Sequence, residues 1–150
     1  MSTPLIVKST IQINGTAAQV WDALVNPAQT KKYMFGCEAL SDWKPGSDLL
    51  WQGEHDGQPM VFVKGRIVEI RPEEFLAYTT IDPNSGIEDI AANHLVVTYE
   101  IKKLKDAVEL TATQGDYSKV GEGQKRYDET VAGGGWMPIL VEVKKLVEGA

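Results

Sequence analysis

The sequence predicts an α+β fold: a curved antiparallel sheet of about six to seven strands around a long C-terminal helix, with two short helices after the first strand. Segments of period-two alternation follow one another through the middle of the chain with turn-sized links, which is typical of antiparallel strands. The C-terminal segment instead carries an apolar stripe at helical spacing, and one face of the sheet needs such a cover. The length of 150 residues and the uniform composition predict a single domain, residues 1–150.

The first elements are a strand and two short helices. Apolar and polar residues alternate from Leu5 to Ile13, with one exception at Ile6. Thr16 and Gln19 have the spacing of a capping box, in which each side chain accepts a hydrogen bond from the other residue's backbone N–H. Asn26-Pro27 then closes this helix and caps a second one, which we expect to end before Gly36.

A run of strands occupies the middle of the chain. Strands are predicted over Asp48–Gly53, Met60–Ile70, Phe75–Ile81, His94–Ile101 and Val108–Ala112. In the second of these the alternation changes phase near Gly65, which indicates a bulge or a close backbone approach. The link over Asp82–Asn93 is long for a connection between strands and could act as a lid over a cavity mouth.

The last element is a helix from about Gly123 to Glu148. Its apolar stripe consists of Trp136, Leu140, Val143 and Val147. The triplet Gly133–Gly135 and Pro138 are poor residues for a helix interior, so we expect a kink or a loosened turn there.

Composition excludes several classes of partner. The chain has 15 basic and 21 acidic residues, a formal charge of −6, which argues against binding to nucleic acid or to an anionic membrane. Its single cysteine, Cys37, excludes an internal disulfide. No apolar run approaches the ~20 residues of a membrane span. Because Met1–Lys8 has neither a basic start nor an apolar core, we expect no signal peptide and a cytoplasmic protein.

No catalytic constellation is evident. His55 and His94 have no partner at metal-ligand spacing, His94 is expected on the outer face of its strand, and no histidine is paired with Cys37 by spacing. The carboxylate pairs Glu73-Glu74 and Glu88-Asp89 fall in turns or loops, where a raised pKa is not expected. We therefore predict no catalytic residue, no metal and no cofactor.

Several motifs, taken in order, resemble one known group of proteins. They are Val20-Trp21, Asn26-Pro27, Trp43-x-x-Gly46, Leu50-Trp51, Asp56-Gly57, Gly65–Pro72, Leu76-Ala77-Tyr78, Val97–Glu100 and Gly135-Trp136-x-x-x-Leu140-x-x-Val143. From about Ile6 to Glu148 the chain resembles the START-like (SRPBCC) helix-grip superfamily. Within it, the chain is similar to the activator of heat-shock-chaperone ATPase homologue group.

The resemblance implies a ligand cavity between the sheet and the long helix. Members of the superfamily bind apolar or amphipathic small molecules there, so we expect non-catalytic binding of such a molecule. The predicted cavity residues are Trp51, Phe62, Tyr78, Val97, Tyr99, Leu110, Trp136 and Leu140. A filled core would need the same residues, and that alternative stays open.

The resemblance also implies two alternatives. Some relatives are aromatic-polyketide cyclases, so the chain could be a cyclase- or hydrolase-type enzyme acting on an aromatic substrate. The eukaryotic namesake stimulates the ATPase of the ninety-kilodalton heat-shock chaperone, so a chaperone partner is a further alternative, as is a homodimer. Trp43 and the cluster Tyr33–Phe35 are candidate exposed contacts for either partner, unless they close one end of the core.

Overall fold

The computed structural model describes residues 4–84 and 86–149, and in them seven strands form one curved antiparallel sheet in the order β1-β7-β6-β5-β4-β3-β2. The strands are β1 (Val7–Ile13), β2 (Glu38–Ser41), β3 (Asp48–His55), β4 (Gln58–Arg71), β5 (Phe75–Thr80), β6 (Leu95–Lys103) and β7 (Val108–Gly115). The described α-helices are α1 (Ala17–Val25), α2 (Pro27–Tyr33), α3 (Gly123–Ala132) and α4 (Met137–Glu148). The predicted helix-grip fold is confirmed. The start of the N-terminal segment, Met1–Thr3, lies outside the described residues.

The two short helices begin at the predicted caps. The Gln19 backbone N–H donates to Thr16 Oγ1 at 3.1 Å, and the Thr16 N–H donates to Gln19 Oε1 at 2.9 Å, which completes the capping box. The Asn26 side chain accepts from the Ala28 N–H at the start of α2. At the end of α2 the Tyr33 hydroxyl donates to the Ala23 carbonyl at 2.7 Å, which ties the two helices together.

One short strand, β2, was not predicted from the sequence. It has four residues and pairs with β3 at the edge of the sheet. Only Ala39 among its residues is buried, so no alternation long enough to indicate a strand exists there.

The register of the central strands places large side chains on one face. Leu76 lies opposite Tyr99, Tyr78 lies opposite Val97, and each of these four side chains is buried. Because side chains on a strand alternate between faces, this register produces a continuous apolar surface beneath α4.

Gly65 marks a close backbone approach, as the sequence predicted. A Cβ atom added there would lie 1.6 Å from the Thr79 carbonyl oxygen, so no larger residue fits. The register shift between β4 and β5 lies a little further along, between Ile67 and Glu69.

The C-terminal segment is interrupted more completely than the predicted kink. Instead of one helix it forms α3 and α4, separated by a turn in which Gly134 and Gly135 have φ values of 95° and 65°. Such left-handed angles suit glycine, and Pro138 follows in the first turn of α4, where its missing N–H has little cost. Helix α4 buries Leu140, Val143 and Val147 as predicted, whereas α3 buries only Gly123 among its ten residues.

Candidate functional site

Four aromatic rings form a continuous chain through the interior. The centroid of Trp51 on β3 lies 6.2 Å from that of Tyr78 on β5. Tyr78 is 5.6 Å from Tyr99 on β6, and Tyr99 is 5.6 Å from Trp136 at the start of α4. The last two pairs are edge-to-face, an arrangement favoured because a positive ring edge meets a negative ring face. The structure thus brings four of the predicted cavity residues together, and all four are buried.

The hydroxyls of Tyr78 and Tyr99 form a buried pair, with an oxygen-to-oxygen hydrogen bond of 2.7 Å. Burial raises the pKa of both phenols, and the neighbouring Tyr78 raises that of Tyr99 further. Since an unperturbed tyrosine already titrates near ~10, both groups stay neutral at physiological pH. The interior therefore offers hydrogen-bonding groups that carry no charge.

The other predicted cavity residues surround this aromatic chain. Val97 on β6, Leu110 on β7 and Leu140 on α4 are fully buried in the same apolar cluster. Phe62 on β4 is only partly buried and packs at the margin of the cluster. These side chains surround the four rings, and a contact with a ligand stays a prediction for all eight residues.

A cleft of about 430 Å³ lies beside the cluster, between one end of the sheet and α3. Its wall from the sheet and the adjoining segments consists of Val63, Thr80, Ile81, Asp82, Ile87, Leu95, Gln114 and Tyr117. Its other wall consists of Glu122, Lys125, Arg126, Glu129 and Thr130. The cleft is thus largely apolar on the side of the sheet and charged along α3.

Gln114 joins the cleft to the aromatic chain. Its Oε1 accepts a hydrogen bond of 3.0 Å from the Trp136 indole N–H, and the same side chain lines the cleft. The residues of the α3 wall were not predicted as site residues, because their sequence resembles any solvated helix surface. The glycine triplet after them was the one available signal, since it separates α3 from the helix that packs on the sheet.

Helix α3 is held over the cleft by a small number of polar contacts. Arg126 Nη1 donates to the Asn93 carbonyl at 3.1 Å and to the Gly121 carbonyl at 3.3 Å. The hydroxyls of Tyr117 and Thr130 are 3.1 Å apart, and the rings of Tyr117 and Tyr127 stack edge-to-face at 5.6 Å. Because these contacts are few, α3 should move away from the cleft more easily than the wall formed by the sheet.

The long link after β5 is anchored to the outer face of the sheet. His94 Nε2 lies 2.7 Å from Asp89 Oδ1, and its Nδ1 lies 3.3 Å from the hydroxyl of Thr79, which alternates with the core-facing Tyr78. Asp89 also forms an ion pair with Lys64 on β4. Hydrogen bonds from Lys64 and His94 lower the pKa of the Asp89 carboxyl. His94 is therefore on the predicted face, yet its side chain is only 15% exposed.

The remaining candidate groups are dispersed. His55 lies on an exposed turn with Asp56, 3.4 Å away, and burial raises the pKa of the Cys37 thiol. Over residues 4–84 and 86–149, no three histidine, cysteine or acidic side chains are grouped so that they could hold a metal ion. Within the same ranges, no helix has the length and apolar character that a membrane crossing requires.

Comparison with known families identifies the chain. Residues 14–148 match the family model described as activator of Hsp90 ATPase homolog 1-like protein. The chain belongs to this family. A family relative with a solution structure, from Cytophaga hutchinsonii, is 36% identical with a TM-score of 0.76, over 99% of this chain and 97% of its own. No curated protein matches the chain.

More distant structures share the fold of this family. A crystal structure from Nitrosomonas europaea is 17% identical, with a TM-score of 0.74 over 99% of this chain and 97% of that one. The solution structure of an Aha1 dimer from Colwellia psychrerythraea is 10% identical, with a TM-score of 0.68 over 95% and 96% of the two chains. At these identities the likeness establishes the architecture alone.

Proposed function

We propose that this family member binds an apolar or amphipathic small molecule, without catalysis, in the cavity between the sheet and the C-terminal helices. The observation that carries the proposal is the cleft of about 430 Å³ between the sheet and α3. Small-molecule sites have volumes of roughly 300–1,000 Å³, with mostly apolar walls and a few placed polar groups. The wall on the side of the sheet has that composition, with Val63, Ile81 and Leu95 beside Thr80 and Gln114.

Apolar burial supplies the driving force in this proposal. A ligand that hides ~200 Å² of apolar surface gains about 5 kcal/mol before the costs of association are subtracted. None of the eight residues predicted from the sequence is among those that line the cleft; they lie in or against the apolar cluster beside it. Among these eight residues, Trp136 is joined to the cleft by its hydrogen bond to Gln114.

A dye titration with two matched variants tests the site. The neutral dye N-phenylnaphthylamine fluoresces in apolar surroundings, and Glu129→Trp places a large ring in the cleft wall. Asp128→Trp makes a similar change at the neighbouring exposed position, which does not line the cleft. We expect Glu129→Trp to raise the dye Kd at least ~10-fold, about 1.4 kcal/mol, and Asp128→Trp to leave it unchanged. Equal effects of the two variants would refute the assignment.

Native mass spectrometry of protein purified from its own host addresses the natural ligand. A stoichiometric mass increase that gentle extraction removes would support the carrier role and identify the compound. A reproducibly ligand-free protein that also binds no dye would count against it.

The cyclase- or hydrolase-type alternative needs a titratable group at the substrate. Three phenols are candidates: Tyr117 lines the cleft, Tyr78 and Tyr99 lie in the apolar cluster beside it, and burial raises the pKa of all three, which keeps them protonated. Because a general base works best with a pKa near the operating pH, these phenols suit hydrogen-bond donation and not proton abstraction. Turnover of an aromatic ester or polyketide that is lost in Tyr78→Phe would favour the enzyme.

The protein-interaction alternatives depend on one exposed ring. Tyr33 is buried and closes the core, and Met34 and Trp43 are partly buried against it. Phe35, in contrast, is 88% exposed. If the chain dimerises or contacts a chaperone through this cluster, Phe35→Ser will lower the mass measured by light scattering or abolish stimulation of the chaperone ATPase. A monomer that leaves the ATPase rate unchanged would exclude both.

A further inference from the structure

The amide of Gln114 is held in one orientation by Trp136. An indole N–H donates hydrogen bonds and cannot accept them, so the atom that faces it at 3.0 Å must be the oxygen Oε1. The amide nitrogen Nε2, with its two hydrogens, therefore points away from the indole. Gln114 also lines the cleft, so this nitrogen is the polar group that it presents there.

The donor on Gln114 has no acceptor within the described part of the chain. Its Oε1 is the atom engaged with Trp136, and Nε2 makes no hydrogen bond with any residue over 4–84 and 86–149. Thr80, another residue of the cleft wall, is also without a side-chain partner in those ranges although the residue is only 8% exposed. Neither atom is among the fully buried ones, since Gln29 Oε1 is the one buried side-chain atom without a partner in the described residues, so both are accessible to a molecule in the cleft.

The charges around the cleft select against an anion. Glu122, Glu129 and Asp82 contribute three carboxylates, and Lys125 and Arg126 contribute two cations, so the walls carry a net charge of −1. Arg126 is further occupied by the carbonyl oxygens of Asn93 and Gly121. A carboxylate or phosphate would gain little here, whereas a neutral acceptor meets no repulsion.

We infer that the cleft recognises a neutral carbonyl group on an apolar molecule, such as an aromatic ketone or ester, through the Nε2 amide hydrogens of Gln114. This inference rests on the proposed function and specifies its ligand class. Trp136 acts as a positioning residue, because its indole fixes which end of the amide faces the ligand. Thr80, two strands away on β5, offers a second hydrogen-bonding point on the same wall.

Two dyes that differ only in a carbonyl group test the inference. Prodan is an aromatic ketone, 6-propionyl-2-(dimethylamino)naphthalene, and 6-propyl-2-(dimethylamino)naphthalene is the same molecule with a methylene group in place of the carbonyl. We expect the wild-type protein to bind Prodan about three- to tenfold more tightly, as one hydrogen bond would give. We also expect bound Prodan to emit at a longer wavelength than Prodan in an aprotic apolar solvent, because a hydrogen bond to its carbonyl shifts the emission to the red.

Gln114→Glu is the decisive variant, since it is nearly isosteric and keeps an oxygen for the Trp136 indole. It replaces the donor that faces the cleft by an acceptor, so the preference for Prodan and the red shift should both disappear. Gln12→Glu, the same change at an exposed position on β1, should keep both. The near-ultraviolet circular dichroism of the tryptophans verifies that each variant is folded.

The outcomes separate this inference from the proposed function. Saturable binding of both dyes with equal affinity, unaffected by Gln114→Glu, would overturn the carbonyl assignment and leave the binding site intact. No saturable binding of either dye to the wild-type protein would overturn both. A preference for Prodan that survives Gln114→Glu would assign the carbonyl to another donor and would equally refute the role of Gln114.

Discussion

At the residue scale, the tyrosine pair determines the chemistry of the interior. Tyr78 and Tyr99 share one hydrogen bond of 2.7 Å, and burial holds both phenols neutral by raising their pKa. A buried charge would require a counterion, whereas a neutral pair satisfies itself within an apolar cluster. The interior can therefore be polar at one point without the large desolvation cost of an ion.

The pair predicts a strongly non-additive mutational cycle. Tyr78→Phe or Tyr99→Phe alone leaves one buried hydroxyl without its partner, which should lower the free energy of unfolding by about 1–3 kcal/mol. The double variant removes both hydroxyls and should be much closer to wild type than the sum of the single changes. Urea unfolding measures all four proteins. Additive losses would show that the hydroxyls do not act as a pair.

A single carboxylate links the last helix to the first turn. Glu148 Oε2 accepts from the Asn14 backbone N–H at 2.8 Å and contacts Lys144. The hydrogen bond from the Asn14 N–H is the largest cause of the lowered pKa of this carboxyl, and the hydrogen bond from Lys144 is the second. A group with a lowered pKa in the folded state stabilises the protein above its unfolded pKa, and this contribution is lost as the pH falls through the folded value.

The effect of Glu148 should therefore depend on pH. Glu148→Gln should lower the thermal midpoint at pH ~7, and the difference from wild type should vanish well below the ordinary glutamate value of ~4.3. Glu142→Gln on the same helix is the control, since its carboxylate is exposed and only contacts Lys145 at 3.4 Å. A difference of equal size at both pH values would show that charge is not responsible.

At the element scale, the glycine turn divides the C-terminal segment into two helices with different tasks. Helix α4 packs its buried stripe on the sheet, while α3 carries the charged wall of the cleft. Gly135 makes the turn possible, because its φ of 65° is unfavourable for other residues and an added Cβ would lie 3.1 Å from Val7.

Substitution by alanine should have opposite effects on stability at two glycines of the same turn. Gly135→Ala forces a left-handed residue and a close contact, so we expect a loss of about 1–2 kcal/mol in unfolding free energy. Gly133 has an ordinary φ of −81°, and an added Cβ would lie 3.6 Å from its nearest neighbours. Gly133→Ala should be neutral or should stabilise by up to ~1 kcal/mol, through the unfolded state. Similar losses of unfolding free energy in both variants would refute the role assigned to the left-handed φ of Gly135.

The elements also show which features the sequence could predict. The capping box of Thr16 and the Asn26 cap consist of hydrogen bonds between residues two or three positions apart, so the local sequence was sufficient to predict them. The buried face of β6 followed from its alternation, whereas in β5 the consecutive residues Leu76, Ala77 and Tyr78 are all buried and no alternation indicates a face. The α3 wall could not be predicted, because the charged side chains of Lys125, Arg126 and Glu129 acquire their position from a turn whose direction depends on tertiary packing.

At the scale of the whole molecule, packing is unevenly distributed. The sheet, α1 and α4 share one apolar cluster, to which α3 adds the partly buried Tyr127. Polar contacts of Asn93 with Arg126 and Gly121 join the link after β5 to α3 and the segment before it. Asp89, paired with Lys64 and His94, fixes the middle of that link. Regions with few buried apolar contacts open at low free energy, and ligand sites are commonly bordered by such regions.

Amide hydrogen exchange should reveal this distribution. Amides of α3 should exchange much faster than those of α4, in proportion to their different burial. Saturating Prodan should slow exchange in α3 and leave α4 nearly unchanged, if α3 closes over the ligand. Equal protection of the two helices in the free protein would contradict the division described above.

The order of the sheet has a consequence for the protein as it is synthesised. β1 lies at the edge of the sheet, and its neighbour is β7, so Thr10 meets Thr111 across 101 positions of the chain. At a translation rate of about 5–20 residues per second, β1 waits roughly 5–20 s for this partner. During that interval the nascent chain exposes a strand with unpaired backbone groups, and it is then that the protein most needs protection from aggregation.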